Sequence, residues 1–228
     1  MRNLQCFAVF LTVAVVLSAA QDYCNLESCK RRNEKQTLCL YPNPNPGPQC
    51  GQQVKTFGPT QDERNMILNT HNNLRKFVAD GYETRGSNGP QPKATNMKTM
   101  VWDTELEKVA QRWANQCNFG HDSCRDVPRF GVGQNVGIIK TTGPDNFNPN
   151  QVIQSWYDEV KDFDRNDIPA YRFNANVGHY TQLIWAESTR LGCGSIRYRE
   201  DGGWNSYYLV CNYGPAGNVI GWPIYKTA

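Results

Sequence analysis

The nine cysteines of this 228-residue chain constrain its fold more than any other feature. Cys6 lies in an apolar N-terminal run, and eight more follow along the chain: Cys24, Cys29, Cys39, Cys50, Cys117, Cys124, Cys193 and Cys211. An even set of this size is typical of proteins that fold in an oxidising compartment. The count predicts four disulfides and leaves their partners open.

The first 20 residues are predicted to be a secretory signal peptide. Arg2 supplies a positive charge, residues 7–17 are almost entirely apolar, and residues 18–20 are small, as cleavage requires. The apolar run is too short for a stable membrane span, and no later stretch approaches the necessary length. We therefore expect a secreted chain that begins at Gln21, loses Cys6 and has no membrane span.

Charge and composition exclude two classes of protein. The chain has 24 basic and 21 acidic residues, which is too even a balance for a nucleic-acid-binding protein. Hydrophobic residues make up 39% and charged residues 20%, a composition that excludes an intrinsically disordered protein.

The chain divides into two parts after the predicted signal peptide. Residues 21–59 contain half of the remaining cysteines and a run of alternating prolines at 41–48, which prevents a helix. We expect an irregular arm that disulfides hold in place. Residues 60–228 contain the periodic patterns of a folded domain.

Three helices are predicted in this domain. The first begins with a capping box at residues 60–63, and its apolar face follows Ile67, His71, Leu74 and Val78. The second runs from about Asp103 to Cys117. The third begins at Asn148-Pro149, and its buried stripe follows Val152, Trp156, Glu159 and Phe163.

Strand patterns occupy the remainder of the domain. Residues 132–140 are short and β-branched, and residues 193–199 and 204–213 flank a turn as in a β-hairpin. Cys193 and Cys211 lie nine residues on either side of Gly202, so an antiparallel pairing places them opposite each other. Helices together with an antiparallel sheet predict an α+β fold.

Few residues are candidates for chemistry. His71 and Glu159 lie on helix faces that should be apolar, and His179 and Gln134 lie in glycine-containing segments. Such residues in one cleft would either bind a divalent metal with an open water position or perform acid–base work. The alternative is that each histidine is a hydrogen-bonded core residue. His121, between Cys117 and Cys124, is interpreted as structural.

Two long motifs resemble the signatures of the CAP superfamily of cysteine-rich secretory proteins, antigen 5 and pathogenesis-related proteins. They are residues 178–188, GHYTQLIWAES, and residues 208–219, YLVCNYGPAGNV. Within the superfamily the chain is most similar to antigen 5 of stinging insects, through residues 23–29, 113–117 and 124–126.

The resemblance implies a fold and a set of disulfides. The fold is a three-layer α-β-α sandwich, with the disulfide-pinned arm at its N-terminus. The implied pairs are Cys24–Cys39, Cys29–Cys124, Cys50–Cys117 and Cys193–Cys211. The last pair agrees with the hairpin register.

The resemblance also implies a polar cleft that holds zinc or another divalent cation in some relatives. The family histidines carry over to His71 and His179, one acid carries over to Glu159, and the other acid position falls at Gln134. An amide cannot act as a base and supplies no negative charge to a metal. We therefore expect a protein that is not an enzyme and needs no cofactor.

The resulting hypothesis is a monomeric, secreted venom or salivary antigen that binds small lipids of the sterol or fatty-acid type, or a host target. A lipid loop is expected near residues 141–150, with Gly143, Pro144 and Phe147. As an allergen, such a protein is bound by host IgE. The alternatives are a metal-dependent hydrolase that uses His71, Glu159 and His179, and a scaffold with a vestigial cleft.

Overall fold

The computed structural model describes residues 22–51 and 53–228, and it has the three-layer α-β-α architecture that the resemblance implies. The predicted signal peptide lies outside the described residues. The helices are α1 (Glu27–Lys30), α2 (Thr37–Leu40), α3 (Gln61–Ala79), α4 (Thr104–Ala114), α5 (Pro149–Tyr157) and α6 (Gly178–Leu183). The strands are β1 (Val54–Phe57), β2 (Val101–Trp102), β3 (Gly133–Thr141), β4 (Arg190–Arg199) and β5 (Asn205–Gly214). Among the described helices, none has the length and hydrophobicity needed to cross a membrane.

The central sheet has the order β1-β4-β5-β3, with β2 added parallel to the start of β4. The β4–β5 hairpin pairs Cys193 with Cys211, as the spacing around Gly202 predicts. Strand β3 runs antiparallel to β5, which brings Gln134 opposite Asn212. This register sets one side of the candidate site.

Alternating side chains of β5 build the core on both faces of the sheet. Tyr207, Leu209 and Tyr213 pack in the cluster that includes residues of α3 and α5, whereas Tyr208 and Val210 pack with residues of α4.

Helix α4 lies directly on the backbone of β4, and two glycines make this approach feasible. A Cβ atom on Gly192 would lie 2.2 Å from the backbone nitrogen of Glu107, and one on Gly194 would lie 2.3 Å from that of Gln111. Any larger residue at either position would push the helical layer off the sheet.

The helix starts follow the sequence signals. Thr60 and Glu63 form both halves of the capping box of α3, and Asn148 caps α5. The third helix is shorter than its apolar stripe indicates, because residues Asp158–Asp162 form a 3-10 helix.

The four disulfides join the pairs that the resemblance implies: Cys24–Cys39, Cys29–Cys124, Cys50–Cys117 and Cys193–Cys211. Apart from the short elements α1, α2 and β1 and two 3-10 turns, the described part of the arm is irregular, as expected. Strand β1 pairs with β4 at the edge of the sheet, so the end of the arm belongs to the central layer.

Candidate functional site: a polar cleft at His179

Glu159 and His179 form the centre of the site. Nδ1 of His179 lies 2.6 Å from Oε1 of Glu159, and the backbone amides of His179 and Tyr180 donate to Oε2 at 3.0 and 3.1 Å. The His179 ring also stacks on Trp156 with 5.8 Å between ring centroids. The side chains remain partly open to solvent, with 30% of His179 and 19% of Glu159 exposed.

His121 and Gln134 form a second, parallel pair. Nε2 of Gln134 donates to Asp122 at 3.1 Å and to Asn212 at 3.0 Å, which leaves its Oε1 as the acceptor. Nδ1 of His121 lies 2.8 Å from that oxygen and therefore carries the proton. The amide at position 134 thus orients an imidazole ring.

The two pairs lie near each other, because Asn135, next to Gln134 on β3, donates to the backbone carbonyl of His179 at 3.0 Å. Burial of the ring is the main cause that lowers the pKa of His121, and Arg125 and His179 lower it further. Within the described part of the chain, Nε2 of both rings is without a hydrogen-bond partner. An imidazole whose Nδ1–H is held by an oxygen presents Nε2 as a metal-ligating lone pair.

His71 does not belong to this cleft, so its interpretation as a cleft residue and metal ligand was wrong. The side chain is fully buried, and its two ring nitrogens contact the carbonyl of Ile67 at 2.8 Å and the hydroxyl of Tyr213 at 2.9 Å. A metal would have to displace both partners inside the core. Burial lowers the pKa of His71 to about 4, so the ring is neutral.

Hydrogen bonds nevertheless connect His71 to the cleft. The Ile67 carbonyl can only accept, so Nδ1 of His71 donates and Nε2 accepts from the Tyr213 hydroxyl. Asn135 then donates to the Tyr213 oxygen at 3.1 Å and to the His179 carbonyl at 3.0 Å. The buried histidine therefore supports the backbone of His179.

His121 is the functional candidate that the sequence reasoning missed. Helical periodicity drew attention to His71, whereas His121 follows α4 in a segment without regular structure. The signal that was present is its place between Cys117 and Cys124, since both disulfides fix this segment against the arm.

The predicted lipid loop is fastened at several points. Asn205 donates to the Gly143 carbonyl at 2.9 Å, and Arg197 donates to the Phe147 carbonyl at 3.0 Å. The Phe147 ring stacks on Tyr207 with 6.1 Å between centroids, and Asp145 accepts from Lys55 and Arg197. Pro144 lies between these anchors. The contacts hold the loop against the sheet.

One cluster of three potential metal-ligating residues occurs among the described residues, and it consists of Cys29, Cys124 and Asp126. Both cysteines form a disulfide with each other, so the cluster offers no thiolate. It is a structural junction between the arm and the domain.

The fold and the cleft define a CAP-type secretory domain, and the family model confirms it. Residues 68–213 match the Cysteine-rich secretory protein family, and the chain belongs to this family. It is 52% identical to Venom allergen 3 of Solenopsis invicta, with 91% of this chain and 90% of the relative covered. It is 48% identical to Venom allergen 5 of Rhynchium brunneum, with 96% of each covered.

Solved structures show the same fold. The crystal structure of NaASP2 with Zn2+ is 35% identical and gives a TM-score of 0.61, with 75% of this chain and 88% of that chain covered. Na-ASP-1 is 33% identical and gives a TM-score of 0.62, with 82% of this chain and 46% of that chain covered. The resemblance to antigen 5 and to the wider CAP superfamily is therefore confirmed.

Proposed function

We propose that the protein is a secreted venom-type antigen that acts by binding, and that its cleft binds a divalent metal ion through Nε2 of His121 and His179. The observation that carries the proposal is the matched pair of imidazoles, each held at Nδ1 by a side-chain oxygen. The similarity to venom allergens and the four disulfides support secretion into venom.

The donor set suits zinc. Neutral imidazole nitrogen is a preferred zinc ligand, and two protein ligands leave further positions for water. Gln134 and Glu159 are not ligands themselves. Their side-chain oxygens hold Nδ1 of His121 and of His179 and so orient the two rings. The structural relative crystallised with Zn2+ supports the same chemistry in this fold.

Binding is favoured over the hydrolase alternative because Glu159, the carboxylate that could activate a metal-bound water, already accepts from His179 and from two backbone amides. The described residues also place no nucleophilic side chain at the cleft. Their eight cysteines are all in disulfides, and the Ser188 hydroxyl donates to the carbonyl of Pro215 at 2.7 Å. Gln134 is an amide, so this position supplies no base beside Glu159.

Lipid carriage by the loop at Gly143, Pro144 and Phe147 ranks below metal binding. Opening that loop would break the Asp145 ion pairs and remove Phe147 from its packing on Tyr207. Recognition by host IgE follows from similarity to venom allergens and requires only an exposed, stable surface.

Zinc titration by isothermal calorimetry tests the proposal. The chain with its four disulfides is expected to bind one Zn2+, and His121→Ala and His179→Ala are each expected to weaken binding at least about tenfold. Asp201→Ala, which removes an exposed carboxylate on the hairpin turn, is the control for non-specific binding. Zinc binding that survives both histidine substitutions, or no binding to the unaltered chain, would favour the scaffold alternative.

A further inference from the structure

A second surface feature lies apart from the metal cleft. Phe173, Ile220 and Trp222 are 70%, 71% and 63% exposed, and Val219 beside them is 37% exposed. We call these four residues the apolar patch. Large apolar side chains that face water together usually mark an interaction site.

The backbone holds the two segments of the patch side by side. The amide of Tyr171 donates to the carbonyl of Trp222, and the amide of Gly221 donates to the carbonyl of Tyr171, both at 2.8 Å. Ile224, two residues after Trp222, is buried and its amide donates to Ile168. These backbone hydrogen bonds and the buried Ile224 therefore hold the side chains of the patch at the surface.

A basic depression borders the patch. It has a volume of about 640 Å³, and its lining includes Arg165, Pro169, Pro223 and Lys226. Pro223 directly follows Trp222, so the depression and the patch share an edge. Within the described residues, neither Arg165 nor Lys226 has an ion-pair partner.

The acidic residues nearest in sequence to Arg165 are already engaged. Asp167 accepts from Arg172 at 2.6 Å, and Asp164 accepts from the amide of Asn166 at 2.9 Å. Arg165 and Lys226 are the residues with charged side chains in the lining of the depression, so their positive charges act on a ligand there.

We propose that this face docks on a membrane surface that contains anionic phospholipid. Trp222, Ile220 and Phe173 enter the boundary between headgroups and acyl chains, where tryptophan and other large apolar side chains are favoured. Arg165 and Lys226 contact lipid phosphate from the adjoining depression. The charge of these two residues selects an anionic membrane over a neutral apolar partner.

Vesicle sedimentation with the disulfide-bonded chain tests this proposal. The chain is expected to bind vesicles of phosphatidylcholine with added phosphatidylserine, and I220S/W222S is expected to bind at least about tenfold more weakly. R165Q/K226Q is expected to lose the preference for phosphatidylserine over phosphatidylcholine alone. Trp204→Ser is the matched control, because Trp204 is also exposed but lies at the hairpin turn.

Each other outcome contradicts the proposal. The proposal is wrong if the unaltered chain does not bind phosphatidylserine vesicles, or if W204S weakens binding as much as I220S/W222S does. Sedimentation velocity tests whether a second copy of the chain occupies the patch instead. If the unaltered chain forms a dimer that I220S/W222S abolishes, and it does not bind vesicles, the patch is a self-association surface. A far-UV circular dichroism spectrum of I220S/W222S that matches that of the unaltered chain shows that the variant is folded, and this control does not depend on zinc binding at the cleft.

Discussion

His71 is a histidine that the fold keeps neutral. Its folded pKa is about 4 because the side chain is buried, whereas the ordinary value is 6.5. Between these values the unfolded chain takes up a proton that the folded chain excludes. The contribution of His71 to the free energy of unfolding should therefore have its full value above pH 6.5. It should be lost as the pH drops to about 4, which lowers the free energy of unfolding by up to about 3 kcal/mol.

Denaturant unfolding at a series of pH values measures this loss. His71→Gln keeps polar atoms at the site and removes the titration, so its stability should depend less steeply on pH in this window. Equal slopes in the two proteins would contradict the prediction. In the unaltered chain, the NMR signal of the His71 ring should stay that of neutral imidazole down to about pH 5, which checks the same point without a variant.

Gln134 distinguishes this cleft from one with two carboxylates. Gln134→Glu would replace the donor to Asp122, 3.1 Å away, with a second carboxylate. Two adjacent carboxylates repel each other, whereas a bound cation relieves the repulsion. We expect Q134E to melt at a lower temperature than the unaltered chain without metal, and to gain more from added zinc.

Differential scanning fluorimetry with and without Zn2+ measures both effects. Gln134→Met, which removes the hydrogen bonds without adding charge, should lower the melting temperature and show no enhanced response to zinc. The same zinc-induced shift in Q134E and in the unaltered chain would show that position 134 does not influence the metal.

At the scale of elements, Arg75 joins α3 to the end of α6 and to the segment that follows it. Its guanidinium is buried and donates to the carbonyls of Leu183 and Trp185 at 2.9 and 2.8 Å, and to Lys98 on the other side. A lysine has the same charge but cannot reach several carbonyls from one planar fork. Arg75→Lys should therefore lower the free energy of unfolding by about 2–4 kcal/mol.

Chemical denaturation compares this variant with Arg64→Lys on the same helix. Arg64 is partly exposed and pairs with Glu107 at 2.6 Å, so its replacement should cost less than about 1 kcal/mol. Similar losses in R75K and R64K would show that the buried carbonyl contacts do not fasten these elements.

Local signals explain which elements the sequence predicts. The capping box at Thr60, the proline after Asn148 and the turn around Gly202 act within a few residues, and each marks an observed boundary. Strand β1 forms by pairing with β4, which lies more than a hundred residues away in the sequence, so the local sequence pattern does not predict it. His121 was missed for the same reason, because its partner Gln134 reaches it only through the packing of β3.

At the scale of the whole molecule, the arm and the cleft form one connected structure. The Thr37 hydroxyl of the arm bonds to Asp122, which accepts from Gln134, and Gln134 in turn orients His121. The Cys29–Cys124 disulfide fastens the same junction and spans 95 residues, whereas Cys24–Cys39 spans 15 within the arm. Loss of the long-range link should therefore reach the cleft.

The paired variant C29A/C124A tests this coupling against C24A/C39A. A disulfide that closes a longer loop restricts the unfolded chain more, so C29A/C124A should lose about 2–5 kcal/mol of stability and C24A/C39A should lose less. Zinc affinity should fall in C29A/C124A, because the segment that contains Asp122 and His121 loses its anchor. In C24A/C39A it should remain unchanged, since the Cys29–Cys124 disulfide still links that segment to the arm. Unchanged zinc affinity in C29A/C124A would mean that the domain alone positions His121.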